Sequence, residues 1–180
     1  PWVVGHPDEI RTLVAHEPPL SALLEDSEMA LKVNADIVDT YRRRGFGPAM
    51  AKFIQLVMHA GPLPADYLDQ PDPDPARFGL PAEDDGSRDD PLLAYNLTMP
   101  PYRPDAEALR SSGVRIVPAI GAEGEGTLAR RGGEAFARLL GTAPVVFPGD
   151  HGGFAANEWT PDNDPAAFAQ KLREVLDNDS

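Results

Sequence analysis

Apolar residues recur with two different spacings along the chain, and the two spacings predict different elements. Between residues 27 and 60 they lie three and four positions apart, which predicts two amphipathic helices with a break at residues 45–48. Short, largely β-branched apolar runs elsewhere predict buried strands at Ile10–Ala15, Val114–Ile120 and Val145–Phe147. The chain therefore combines a helical block with strand-forming segments on either side of it.

The last third of the chain alternates between helical and strand patterns. Helices are predicted from about residue 104 to 110, at Thr127–Leu140 and at Pro165–Leu176. Strands separated by helices of this length predict an α/β fold with a parallel sheet. Functional groups in such sheets gather where the strands end, at their carboxyl edge.

Composition narrows the classes of function. With 180 residues and 42% hydrophobic content, a single packed domain is expected, and the net charge of −13 argues against nucleic acid and acidic substrates. The chain has no cysteine, which excludes disulfides, thiolate metal sites and cysteine nucleophiles. No stretch has the roughly 20 apolar residues that cross a bilayer, and no signal-peptide pattern is seen, so we expect a cytoplasmic protein without membrane contact.

Three loops follow the predicted strands, and they carry the candidate chemistry. The loops at residues 16–19 and 121–126 contain acids, and the loop at residues 149–153 places His151 between glycines. A histidine in such a loop suits general acid/base work, because its free pKa lies near neutrality. The glycine loop at residues 121–126 lacks the Lys-Ser/Thr of a phosphate-binding loop, and no histidine pair has helical zinc spacing. We therefore expect no metal and no cofactor.

The order of these segments resembles the C-terminal part of an α/β-hydrolase. An apolar strand enters a His-Glu-Pro-Pro turn, a helical block follows, and the final strand ends in Pro-Gly-Asp-His-Gly-Gly-Phe, so that the resemblance covers residues 6–176. It implies that residues 1–24 and 101–180 belong to the hydrolase core. It also implies that residues 25–100, including a Pro- and Asp-rich loop that we expect to be exposed and mobile, form a helical cap.

The same resemblance implies roles for individual residues. His151 matches the base of a catalytic triad, in the loop between the last strand and the last helix. The usual place for the acid favours Glu123, although that residue stands one position early in its loop. Some members of the superfamily take the acid from the strand before the cap, which makes Glu17 the alternative, with Glu125 third. The candidates for contacting substrate are His16, Met50, Phe53 and Phe154.

The family's nucleophile has no counterpart in this sequence, since no serine lies in a Gly-x-Ser-x-Gly turn between a strand and a helix. We therefore expect the missing N-terminal half, or a second chain, to cover the open edge at Ile10–Ala15, and a homo-oligomer is possible. The predicted activity is hydrolysis of an ester, thioester or lactone of a small apolar molecule. The alternative is a degenerate or truncated hydrolase module that binds a ligand or a partner without catalysis.

Overall fold

The computed structural model describes residues 1–156 and 160–178, and its centre is a small parallel sheet. The strands are β1 (Thr12–His16), β2 (Arg115–Gly121) and β3 (Val145–Phe147), in the spatial order β1-β2-β3. Both pairings are parallel. The predicted mixed α/β architecture is therefore confirmed, with the first two strands beginning and ending one or two residues later than the sequence pattern indicated.

Helices flank the sheet and make up the block between β1 and β2. The predicted pair of helices is confirmed, and the break between them is the single residue Gly45, whose φ of 82° few other residues adopt. The described helices are α1 (Trp2–Gly5), α2 (Ser27–Arg44), α3 (Phe46–Met58), α4 (Ala106–Ser111), α5 (Leu128–Leu140) and α6 (Pro165–Asp177). Short 3-10 turns lie at Pro7–Glu9, Ser21–Leu23, Tyr67–Asp69, Pro75–Phe78 and Asn96–Thr98, and a π turn at Pro91–Tyr95.

The two faces of the sheet pack against different helices. Phe136 and Leu140 of α5 join a cluster with Leu13 and Ile116 on one face. On the other face, Phe168 of α6 packs with a second set that includes Val117, Ala119 and Phe147. Alternate strand residues point to opposite faces, so helices cover both sides of the strands.

A proline in the middle of the sheet is accommodated by the lengths of the strands. The Arg115 N–H donates to Arg11 O, and Ala119 O accepts from the Glu17 N–H, so odd-numbered residues of β2 bond toward β1. Pro118 consequently faces the β3 side, where pairing begins only at Ala119. The missing N–H of the proline therefore removes no bond from the sheet.

The helical block has its own core and is fastened to the sheet region by polar contacts. Ile37 and Tyr41 of α2 pack with Ala49 and Leu56 of α3 in one buried cluster. Arg131 of α5 forms an ion pair with Asp26 and donates to Gly61 O at 2.8 Å. These contacts join both ends of the helix pair to the first turn of α5.

The Pro- and Asp-rich segment is exposed, as the sequence indicates, but side-chain and backbone contacts attach it to α2. Arg88 stacks 5.5 Å from the centre of the Tyr41 ring and donates to Arg42 O. The Asp90 N–H donates to the Tyr41 hydroxyl at 3.1 Å. These contacts bind the end of the loop to the surface of the helical block.

β1 is an edge strand of the sheet in the described residues, and all five of its side chains are half-buried. What covers its free edge stays a prediction. Across residues 1–156 and 160–178, no helix combines the length and the apolar character that a bilayer crossing requires.

Candidate active site

The site lies where the three parallel strands end. Glu17 directly follows β1, Gly121 is the last residue of β2, and His151 lies four residues beyond β3. Because the strands are parallel and adjacent, these three positions meet at one edge of the sheet.

Glu17 has the most unusual environment among the acids of the described chain. Its side chain is 1% exposed, and its φ of 44° is the one positive value among the described non-glycine residues. Its Oε1 accepts a hydrogen bond of 2.9 Å from the Gly121 N–H. Gly132 lets α5 close against this turn, because a Cβ there would lie 2.5 Å from Pro18 O. Left-handed backbone in a bulky residue costs free energy and is concentrated at functional sites.

His151 meets the second oxygen of the same carboxylate. Its Nδ1 lies 3.3 Å from Glu17 Oε2 in an ion-pair contact, and this buried oxygen accepts no well-aligned hydrogen bond within the described residues. Contact with the Glu17 carboxylate raises the pKa of His151, while partial burial of the ring opposes the rise. The imidazole is 61% exposed, and occupation of Nδ1 leaves Nε2 as the nitrogen that can exchange a proton with a reactant.

His16, the last residue of β1, lies beside this pair. Its ring is stacked on His151 at 6.4 Å between centroids and meets Phe147 and Phe168 edge-on at 5.5 and 5.1 Å. Burial lowers the pKa of His16; Glu17 acts to raise it, and the neighbouring His151 lowers it further. The two neighbouring histidines are therefore shifted in opposite directions, the pKa of His16 downward and that of His151 upward.

The loop that carries His151 is held by two side chains, Asp150 within the loop and Asn163 beyond it. Asp150 Oδ1 accepts from the Gly152 N–H at 2.8 Å and from Asn163 Nδ2 at 3.1 Å. Asn163, which is 8% exposed, also donates to Ala155 O at 3.2 Å. Asn163 is twelve residues from His151 and has no local pattern to distinguish it.

Glu123, the acid favoured from the sequence, is not the partner that the structure gives to His151. Its backbone N–H donates to Gly149 O at 3.0 Å, which closes its loop against the histidine loop and leaves its side chain exposed. Glu125 is exposed as well. No ion pair or hydrogen bond joins either glutamate to His151 within the described residues, and the order of preference between Glu17 and Glu123 is reversed.

The remaining substrate-contact candidates lie in two places. Met50 and Phe53 pack against the buried core of the helical block, with Ile37 and Leu56 among its members. Phe154 is 63% exposed, and its ring lies 6.0 Å from Phe168, which also contacts His16. Of the apolar candidates, Phe154 is the one connected to the histidines by aromatic contacts.

In the part of the chain that the structure describes, no serine hydroxyl forms a hydrogen bond with His151. The hydroxyls of Ser87, Ser111 and Ser112 bond to Asp89 and to backbone carbonyls of α4. Ser180 lies outside the described residues. Across residues 1–156 and 160–178 there is also no group of three His, Asp or Glu side chains arranged to hold a metal ion.

Comparison of the chain with protein-family models, with curated proteins and with solved structures finds no match in any of the three. The arrangement of Glu17, His16 and His151 is therefore interpreted from its own chemistry. It is a buried carboxylate that faces one imidazole, beside a second imidazole whose pKa is lowered by burial, and an aromatic surface.

Proposed function

We propose that this chain supplies the acid and the base of a serine-dependent hydrolase of the α/β-hydrolase type. One observation carries the proposal. The buried Glu17 carboxylate, at the end of β1, faces Nδ1 of His151, in the loop after β3. This is the relation between acid and base in a catalytic triad, and the order of the elements along the chain agrees with it. The proposed substrate is an ester, thioester or lactone of a small apolar molecule.

In this mechanism His151 Nε2 accepts the hydroxyl proton as a serine oxygen attacks the substrate carbonyl. Glu17 fixes the imidazole with its proton on Nδ1 and stabilises the imidazolium that forms. His151 then gives the proton to the departing alcohol or thiol, and a water molecule releases the acyl group by the same path. The serine is proposed to lie outside the described residues. The exposed Phe154 ring beside Phe168 offers an apolar surface, which supports the proposal that the substrate has an apolar acyl group.

The test is hydrolysis of p-nitrophenyl esters by the protein expressed from its entire coding sequence. We expect His151→Ala to lower kcat by about 10³-fold or more, because the serine loses its base. Glu17→Gln should lower kcat far more than the matched exposed variant Glu123→Gln. Ester turnover that survives in His151→Ala, or equal small losses in the two glutamine variants, would refute the proposal.

A second function is favoured by one observation, namely that no described serine hydroxyl bonds to His151. In that case the same edge of the sheet, with its exposed Phe154 ring, binds an apolar ligand without turnover. Absence of ester hydrolysis in the protein from the entire coding sequence, with His151 and Glu17 still paired, would support this non-catalytic function.

A further inference from the structure

Two arginines occupy the first turn of α5, where a helix disfavours positive charge. Arg130 and Arg131 lie in this turn, and it contains no acidic residue. Positive charge near a helix N-terminus opposes the helix dipole, so other contacts must stabilise these side chains. Arg131 has such contacts in Asp26 and Gly61, which join the helical block to α5.

Arg130 makes its contacts in the other direction, toward the active-site edge of the sheet. Its Nη1 donates to the carbonyl oxygens of Gly121, Ala122 and Glu123 at 3.0, 3.1 and 3.2 Å. Its side chain is 17% exposed, and its Nε lies 3.3 Å from Glu134 Oε1 in the next turn. One guanidinium group therefore donates hydrogen bonds to three consecutive carbonyls at the end of β2 and in the loop after it.

The N–H groups of two of these three residues hold the two halves of the candidate site. The Gly121 N–H donates to Glu17 Oε1 at 2.9 Å, and the Glu123 N–H donates to Gly149 O in the histidine loop at 3.0 Å. The space between the loops is minimal, because a Cβ on Gly121 would lie 2.5 Å from Gly149 O. A shift of this loop would consequently move the carboxylate and the imidazole relative to each other.

We propose that Arg130 is a positioning residue for the Glu17–His151 pair. Its bond to Ala122 O fixes the peptide plane that carries the Glu123 N–H, which holds the His151 loop. Its bond to Gly121 O anchors the residue whose own N–H holds Glu17. Arg130 touches neither His151 nor the Glu17 carboxylate and acts through the loop between them. The effect of Arg130 on catalysis rests on the proposed function, whereas its effect on the geometry of the Glu17–His151 pair does not.

The test is an NMR pH titration of the His151 imidazole in wild type and Arg130→Gln, with thermal unfolding as a check that the variant folds. The charged or titratable groups that face His151 are Glu17, Asp150 and His16. Removal of a nearby positive charge alone would raise the pKa of His151. Loss of positioning has the opposite sign, because the carboxylate that raises this pKa is no longer held against the ring. We expect the pKa of His151 to fall toward its ordinary value.

Arg131→Gln is the matched control, since it removes the same charge from the same helical turn without touching the loop after β2. We expect it to leave the pKa of His151 unchanged or raised. If Arg130→Gln does not fold, Arg130→Lys keeps the charge but lacks the reach of a guanidinium, and the pKa should still fall. An unchanged or raised value in the folded Arg130 variant, or an equal fall in Arg131→Gln, would overturn the proposal.

A kinetic measurement separates this proposal from the hydrolase proposal. In the protein expressed from its entire coding sequence, we expect Arg130→Gln to lower kcat by about tenfold to a hundredfold with KM little changed, as a small misplacement of reacting groups does. A fall in the His151 pKa without ester hydrolysis in any variant would refute the hydrolase and keep the positioning role. Full turnover in Arg130→Gln together with an inactive His151→Ala would refute the positioning role and keep the hydrolase.

Discussion

Replacement of Glu17 by glutamine should change the pH dependence of stability in a defined direction. Glutamine keeps an oxygen that can accept from the Gly121 N–H but removes the charge that faces His151 Nδ1. Contact with Glu17 raises the pKa of His151, so the stability from this pair is fully present below the unfolded-state pKa. That stability is lost as the pH rises through the folded-state pKa of His151.

The neighbouring His16 contributes to stability with the opposite pH dependence, but it does not change the sign of the difference between wild type and Glu17→Gln. Burial lowers the pKa of His16, so the stability it contributes is present above its unfolded-state pKa and is lost as the pH falls. Glu17 acts to raise the pKa of both histidines, and Glu17→Gln therefore lowers both. The difference in free energy of unfolding between wild type and variant must grow on acidification.

The size of this change follows from the exposure of the pair. A well-aligned hydrogen bond with a charged partner contributes about 1.5–3 kcal/mol, which is an upper bound for this ion-pair contact of 3.3 Å. The His151 side chain is 61% exposed, and solvent screening brings an exposed pair down to about 1 kcal/mol. We therefore expect Glu17→Gln to be about 1 kcal/mol less stable than wild type at pH 5.5. At pH 8.5, where the buried carboxylate faces a neutral imidazole, the variant should be at least as stable as wild type.

Urea unfolding followed by circular dichroism at the two pH values measures this difference. Glu123→Gln is the control, since it removes the same charge from an exposed side chain at the same sheet edge. A Glu17→Gln effect that is identical at both pH values would refute the reasoning. So would a Glu123→Gln variant that reproduces the pH-dependent difference.

Three further changes test the packing around the site by urea unfolding. Gly121→Ala should cost about 1–3 kcal/mol, because its Cβ would meet the histidine loop, whereas Gly5→Ala, with open space around it, should stay within about 0.5 kcal/mol of wild type. Asp26→Asn should lower the free energy of unfolding by about 3 kcal/mol at pH 7, because it removes the charge that pairs with Arg131. Burial acts to raise the pKa of Asp26, but hydrogen bonds from Arg131 and from a backbone N–H prevail and lower it. That cost should therefore shrink as the pH falls through the folded-state pKa of Asp26; a cost that is constant with pH would contradict the ion pair. Asn163→Ala should cost about 1–3 kcal/mol and speed amide exchange at Gly152, and unchanged exchange would show that Asn163 does not hold the loop.

The sheet and the helix pair could be predicted from the sequence because their signals are local. Strands such as Val145–Phe147 are short apolar runs bounded by proline, and α2 and α3 carry a regular three-and-four spacing. Parallel pairing then follows from the alternation of helix and strand. His151 could be singled out for the same reason, since its glycine loop directly follows a strand.

The choice of acid depended on features that no local pattern contains. Glu17 faces inward because its backbone adopts a φ of 44° and because the Gly121 N–H, 104 residues away, holds its carboxylate. Glu123 is left in solvent because its N–H is bonded to Gly149 O. Both arrangements arise when two loops close on each other, which spacing along one chain segment does not encode.

The pairing of His151 with Glu17 as base and acid is tested most directly by the rate at which a fluorophosphonate labels the protein expressed from its entire coding sequence. Labelling reports activation of a serine hydroxyl by its base. We expect the second-order rate constant to fall by about 10³-fold or more in His151→Ala, and to fall much further in Glu17→Gln than in Glu123→Gln. Labelling that proceeds equally in wild type, His151→Ala and Glu17→Gln would contradict the pairing of these two residues as a catalytic base and acid.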